Sequence, residues 1–300
     1  MARYWHHFGL ERDPFLDTAD PHFAFETPAL RRDIARLTGS VEESLGLAVV
    51  AGPAGVGKTT VSTIVEHVLI RQDRMLVGKI LDPSFSTADE LLTAVARVFG
   101  LPLGNRSTAS AKNALKNYLF DMVMLEQRTP VLLVDEAQLL PASGLDEIRL
   151  LLNFETPERK LLNVVLFGRS EIEAQIAQRD GFADRVATWV RLGPLDTDEI
   201  AALIDYRITR AGGRSRLFSA DARSGIVTAS NGVPRRGGRV ARSAMIEASE
   251  RGSDTVFDDH VAAAVRTLGA TMEERTPGTR ADDRGAANPL GRLFVRRSNA

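Results

Sequence analysis

The stretch Gly52-Pro53-Ala54-Gly55-Val56-Gly57-Lys58-Thr59 fits the phosphate-loop pattern G-x-x-x-x-G-K-[ST] at every fixed position. It constrains the chain tightly, because the pattern carries its chemistry only between a buried strand and the first turn of a helix. Both flanks agree. Leu47-Ala48-Val49-Val50-Ala51 is a short apolar run that predicts a buried strand, and Val61, Ile64, Val65, Val68 and Leu69 recur at helical spacing between Thr60 and Arg71. A triphosphate needs a ring of backbone N–H donors. A chain wraps that closely around phosphate oxygens only where side chains are absent, hence Gly52, Gly55 and Gly57. The expected nucleotide-binding stretch is therefore Gly52, Pro53, Ala54, Gly55, Val56, Gly57, Lys58 and Thr59, with Thr60 behind them. Lys58 is expected to reach the β- and γ-phosphates of ATP as a point charge, and the Thr59 hydroxyl to ligate Mg²⁺.

A second signature lies downstream. Val131-Leu132-Leu133-Val134 runs straight into Asp135-Glu136, a buried parallel strand delivering two carboxylates at the end where α/β sheets bind ligands. Asp135 is expected to hold the Mg²⁺ hydration shell, and Glu136 to orient and deprotonate the attacking water. Acidic residues also favour helix starts, so it is the pairing with the phosphate loop that gives these two their meaning. A further apolar strand, Leu161 to Phe167, ends at Gly168-Arg169-Ser170. Arg169 and Ser170 at its tip are candidates for sensing hydrolysis, and Ser170 equally suits the cap of a helix opening at Glu171. Phosphoryl transfer to a small molecule is disfavoured, since Glu136 suits water activation and no acceptor-pocket motif is visible.

The chain has 300 residues, a formal charge of −1 and no cysteine. That length suits one large domain and a smaller one. The charge offers no global basic field, so contact with nucleic acid has to come from a local patch. Disulfides and thiolate metal sites are excluded, and no apolar run approaches a membrane span. With no secretory signal at the start, a soluble protein of the cytoplasm is expected.

Taken in order, residues 1–45 are read as an N-terminal wrap and first helix belonging to the ATPase module. The wrap is dense in aromatic and turn residues, and Phe8, Leu10 and Phe15 suit either core filling or an apolar clamp for adenine. His6 and His7 are not read as a metal pair, since neighbours on a strand point to opposite faces and no third ligand is evident. Residues 46–195 are read as an α/β nucleotide-binding core, with further strands over Met75 to Leu81 and Thr188 to Leu192, and helices over Thr87 to Phe99, Ala109 to Gln127 and Leu145 to Phe154. Residues 196–270 carry helical periodicity and no strand, so a small all-helical domain is expected. Residues 271–300 lose all periodicity and read as a disordered tail with a short basic-apolar end.

The order of Tyr4-Trp5, Phe8-Gly9-Leu10, Pro14-Phe15, the phosphate loop, Leu133-Val134-Asp135-Glu136-Ala137-Gln138, Arg149-Leu150-Leu151-Leu152-Asn153-Phe154-Glu155-Thr156 and Gly232-Val233-Pro234-Arg235 resembles the AAA+ ATPases of the general secretion ExeA/GspA type, relatives of the Mu B and TniB transposition-regulator ATPases. The resemblance runs from about residue 4 to 268. It implies a P-loop NTPase (AAA+) parallel-sheet core with a C-terminal helical lid domain. It also implies that Arg185 is an arginine finger given across a subunit interface, and that Arg235 is a second sensor touching the γ-phosphate of its own subunit. Two departures stand out. Relatives tend to carry Gly-Gln-Pro-Glu where this chain has Gly168-Arg169-Ser170-Glu171, and the secretion-type proteins continue into a membrane span where this chain reads as a polar tail.

The expected function is ATP hydrolysis by a homo-oligomer, a ring or filament, acting as a switch or loader on double-stranded DNA. The motivating residues are the clusters Arg207, Arg210, Arg214 and Arg216, and Arg235, Arg236, Arg239 and Arg242. A transposase-like or other protein partner is expected beside DNA. The alternative is an ATPase scaffold or remodelling factor acting on a protein partner in secretion or cell-envelope assembly, with the tail as adaptor.

Overall fold

Parallel strands covered on both faces read as unbroken apolar runs, and the interior strands of this protein follow that rule. In the computed structural model, which describes residues 3–104, 106–214 and 216–273 and the backbone of Leu293–Phe294, β1 (Leu47–Ala51), β3 (Thr129–Val134) and β4 (Asn163–Gly168) are buried at every position. With β2 (Met75–Ile80) and β5 (Val186–Arg191) they form a parallel sheet in the order β5-β1-β4-β3-β2. The chain divides into two compact units, and this sheet belongs to the one built from Pro28–Ala54 and Lys58–Leu192. A further strand, β6 (Leu293–Phe294), pairs antiparallel with β2.

The helices of the sheet unit begin where local chemistry permits. After α1 (Tyr4–His7), which lies in the other unit, come α2 (Pro28–Glu42), α3 (Lys58–Ile70), α4 (Ala88–Val98), α5 (Thr108–Met124), α6 (Ala142–Leu151) and α7 (Glu171–Ala177). The Thr87 side chain caps α4 by accepting from the Glu90 N–H, and Leu91, Leu92, Val95 and Val98 bury its inner face. Several boundaries differ from the sequence expectation, three of them for a visible local reason. The expected helix to Gln127 stops at Met124, and Gln127 itself is left-handed at φ 55°. The helix expected from Leu145 begins at Ala142, because Pro141 is its N-cap. The strand expected from Leu161 begins at Asn163, whose side chain accepts from Gly46 N–H at 3.1 Å and donates to the Pro130 carbonyl at 3.4 Å.

The second unit gathers the described parts of Met1–Thr27, Gly55–Gly57 and Gly193–Ala286. Its helices are α8 (Thr197–Arg210), α9 (Ala220–Ser230), α10 (Pro234–Glu250) and α11 (Asp258–Glu273). Asp196 and Glu199 make a reciprocal capping box at the start of α8. A cap contributes about 1 kcal/mol, whereas each of the buried Ile200, Leu203, Ile204 and Ile208 contributes about 2 kcal/mol, so packing holds this helix and the cap sets its start. The sequence expectation read residues 1–45 as one wrap and first helix of the ATPase module, without saying what they pack on. The first 27 share a core with the helices of this unit, where Leu10, Phe15 and Phe23 are buried alongside Ile204, Phe218 and Met245.

Asp13 anchors that segment from a buried position. Its carboxylate accepts from the Tyr4 hydroxyl at 2.5 Å, the Phe15 N–H at 2.9 Å and Arg242 Nε at 2.9 Å. Burial, with the hydrogen bond and charge of Asp13, pushes the Tyr4 hydroxyl far above its ordinary value, so it remains a donor. Of the two uses weighed for Leu10 and Phe15, core filling is the one they serve here. His7 Nε2 lies 3.0 Å from the Ser253 carbonyl oxygen. Among the described residues no helix is long and apolar enough to cross a membrane. The tail expected to be disordered over 271–300 lies outside the described residues, apart from the end of α11 and β6.

Candidate nucleotide site

The phosphate loop follows β1 directly, and its glycines answer two different demands. Gly55 and Gly57 have φ of +83° and +107°, the left-handed region that a side chain disfavours. Gly52 is required by a neighbour instead: a Cβ there would lie 2.3 Å from the Leu192 carbonyl oxygen, just past the end of β5. Lys58 is buried, and its ammonium donates to the Gly52 and Pro53 carbonyls, each at 2.9 Å. The loop therefore holds its own cation at the strand end, on the first residue of α3.

The strand ends bring the other candidates together. In register, Ala51 of β1 pairs with Gly168 of β4, and Val134 of β3 pairs with Leu166. Asp135, Glu136 and Arg169 thus emerge at the same end of the strands as the phosphate loop. The Asp135 carboxylate is buried and accepts from the Glu136 N–H at 3.0 Å and from the Thr59 hydroxyl. Burial pushes its carboxyl up from the ordinary range, while the Glu136 N–H, the Lys79 ammonium and the Thr59 hydroxyl pull it back. A hydroxyl and a carboxylate side by side are the oxygen donors that Mg²⁺ accepts, so these residues fit that ion together with phosphate oxygens.

Lys79 was not anticipated from the sequence. It is buried on β2, 2.8 Å from Glu66 of α3, and its charge bears on Asp135. The available signal was a lysine inside an otherwise apolar strand. Changing Lys79 to Met is expected to cost about 3 kcal/mol of unfolding free energy, since it strands Glu66 without its cation. The double change Lys79→Met with Glu66→Leu should recover most of that loss. Urea denaturation of the three variants checks both, and a silent single change would refute the argument.

Glu136 has a left-handed backbone, φ 48° and ψ 37°, which is uncommon for a residue with a side chain. Its carboxylate accepts from Gln138 Nε2 at 2.5 Å, and Gln138 Oε1 accepts from the Arg169 N–H at 2.8 Å. What Arg169 brings to the strand end is its backbone; its side chain is exposed. Ser170 makes no side-chain cap to α7, so the capping role open to it in the sequence is not taken up.

Arg185 is elsewhere. It precedes β5, and Val186 pairs with Leu47 at the start of β1, at the end of the strands opposite the phosphate loop. Four strand steps separate Leu47 from Ala51 in that pairing, about 13 Å of rise. The Arg185 side chain is exposed and donates to Asn153 Oδ1 at 2.5 Å. In the helical unit, the Arg235 N–H donates to the Gly55 carbonyl at 3.2 Å, while Arg235 Nε meets Asp17 Oδ1 at 3.1 Å. The arginine clusters are partly engaged as well. Arg242 pairs with Asp13, Arg210 donates to the His22 carbonyl, and burial lowers the Arg207 guanidinium against the opposing pull of Asp17, Asp13 and Asp20. Arg214, Arg216 and Arg236 are exposed.

Comparison with known proteins agrees with this geometry. A family model described as AAA domain matches residues 41–176. General secretion pathway protein A of Aeromonas hydrophila is 30% identical over 282 residues, covering 91% of this chain and 50% of that protein, so the chain spans about half the length of this relative. Among solved structures, the Aeropyrum pernix ORC2 protein in ADPNP–ADP complexes superposes with a TM-score of 0.66 at 16% identity, over 89% of this chain and 75% of that one. Drosophila ORC bound to DNA gives 0.64 at 20% identity, over 91% and 69%. The Thermotoga maritima RuvB Holliday junction branch migration motor gives 0.55 at 15% identity, over 82% and 73%. Residues 41–176 thus match an AAA domain, in a chain whose fold is that of the AAA+ P-loop NTPases.

Proposed function

We propose that this protein binds ATP with Mg²⁺, hydrolyses it as a homo-oligomer, and acts in the cytoplasm as a switch or loader on double-stranded DNA. The observation that carries the oligomeric part is the position of Arg185, exposed at the end of the strands opposite its own phosphate loop. An arginine there serves phosphoryl transfer only if it is given to a neighbouring copy, which makes a ring or filament the catalytic form.

Within one site the roles divide by chemistry. The N–H groups of the loop and the Lys58 ammonium bind the phosphates, and Lys58 exchanges its two carbonyl partners for phosphate oxygens. Thr59 and Asp135 would hold Mg²⁺, which when bound supplies positive charge against the phosphate oxygens. Glu136 takes a proton from the attacking water, and Arg235 reaches the γ-phosphate of its own chain by leaving Asp17.

For DNA as partner, support comes from solved relatives of the same fold, the Drosophila ORC bound to DNA and the Aeropyrum pernix ORC1 protein in complex with DNA. The residues to carry the contact are Arg214, Arg216 and Arg236, which are exposed. Changing all three to Glu is expected to weaken ATP-dependent DNA binding tenfold or more, on the order of 1.4 kcal/mol. The salt dependence should become shallower by about one unit of slope per arginine removed. Filter retention across a salt series measures both. No ATP-dependent retention of wild type at low salt would overturn the DNA reading.

The likeness to General secretion pathway protein A favours a second reading, an ATPase scaffold or remodelling factor for a protein partner in secretion or cell-envelope assembly. Under that reading, deleting residues 271–300 abolishes partner capture, leaves hydrolysis intact, and DNA has no effect on turnover.

A further inference from the structure

The glutamate at the end of β3 is not left to itself. Gln138 stands two residues on, in a 3-10 turn spanning Ala137–Leu139, and its amide is used at both ends. The Arg169 N–H is a donor only, so it fixes Oε1 of Gln138 as the atom facing it, at 2.8 Å. The Nε2 of the same amide then faces the Glu136 carboxylate, an acceptor, at 2.5 Å. The turn is held from a third side by Gln175 of α7, whose Nε2 donates to the Gln138 carbonyl at 3.2 Å. Gly168 leaves room for this arrangement: a Cβ there would lie 3.0 Å from Ile172 Cβ and 3.4 Å from Gln138 N. Since β4 lies between β3 and β1, the amide draws the Glu136 side chain toward β4, the strand between it and the phosphate loop.

We infer that Gln138 is a positioning residue for Glu136, aiming its carboxylate at the nucleotide side and tying that aim to the tip of β4. This rests on Glu136 acting as the base toward water. The coupling is mechanical: Arg169 follows Gly168, which pairs with Ala51 immediately before the phosphate loop. A shift at the loop thus moves the Arg169 N–H, and the Gln138 amide carries the shift to Glu136. The left-handed backbone of Glu136 is a conformation that persists where the surroundings hold it, and the Gln138 amide is one such hold.

The test compares steady-state ATP hydrolysis by the full chain carrying Gln138→Leu, Gln138→Glu or Glu136→Gln, with ATP affinity and thermal melting measured in parallel. Gln138→Leu is expected to lower kcat tenfold or more, on the order of the smaller part of a general base's contribution, with KM for ATP and melting unchanged. Gln138→Glu keeps an acceptor for the Arg169 N–H but sets a negative charge beside Glu136. It should therefore shift the acid limb of the kcat profile to higher pH by about one unit, which a merely structural role would not do. Wild-type kcat and pH profile in both Gln138 variants, or losses that follow ATP affinity or melting, would overturn the inference. If Glu136→Gln stays active, the assignment of the base fails instead, and the two failures are told apart.

Discussion

Changing Glu136 to Gln is expected to lower ATP turnover by about 10²- to 10⁴-fold while leaving ATP affinity intact. The amide keeps the size and reach of the carboxylate but accepts no proton from water. Lys58, Thr59 and the N–H groups of the loop are untouched, so the phosphates and Mg²⁺ keep their expected partners. Asp135 also keeps its bond from the backbone N–H of residue 136, because that donor is main chain. Single-turnover hydrolysis together with equilibrium binding of ATP separates the two effects. A variant that still turns over at the wild-type rate would remove Glu136 from the mechanism, and one that loses ATP binding would assign it to the nucleotide cradle instead.

For Arg185→Ala the expected loss is about 10³- to 10⁵-fold in the assembled form, with the slow rate at low protein concentration unchanged. Specific activity of the wild type should rise with concentration, and that of the variant should stay flat. The position of Arg185, about 13 Å along the strand from the phosphate-loop end, allows a sharper test by mixing. A chain with Arg185→Ala retains an intact phosphate loop, and a chain with Lys58→Ala retains an intact arginine. Neither should hydrolyse ATP at the assembled rate alone, and a mixture should recover part of it, since each supplies what the other lacks. Arg185→Lys should not substitute, because an ammonium lacks the planar fork of donors that a guanidinium presents to phosphate oxygens. A mixture no more active than its components would place Arg185 outside catalysis and reduce it to the partner of Asn153.

Much of the fold was legible because its signals are local or periodic. The apolar runs at Leu47–Ala51 and Val131–Val134 announced buried parallel strands, and the helical unit followed from the periodicity after Asp196. Errors gathered at element ends, where a single residue decides: Gln127 adopts a left-handed backbone, Pro141 starts a helix early, and Asn163 enters a strand by satisfying two backbone groups with its side chain. The destination of residues 1–27 was not legible. Leu10, Phe15 and Phe23 advertise burial but not against what, and the anchor at Asp13 depends on Arg242, far along the chain.

The division at the site is similar. From the sequence alone came the phosphate loop and the carboxylates after β3, since a run of a few residues carries both the backbone freedom and the chemistry that phosphate and Mg²⁺ require. Tertiary structure decided the rest. Gly52 answers to the carbonyl of Leu192, Lys79 to Glu66 and Asp135, and Gln138 to Glu136 and the tip of β4. Arg185 stands at the far end of the strands. Each of these depends on strand order and register, which set distances between residues remote in the chain and leave no periodic or local trace in it.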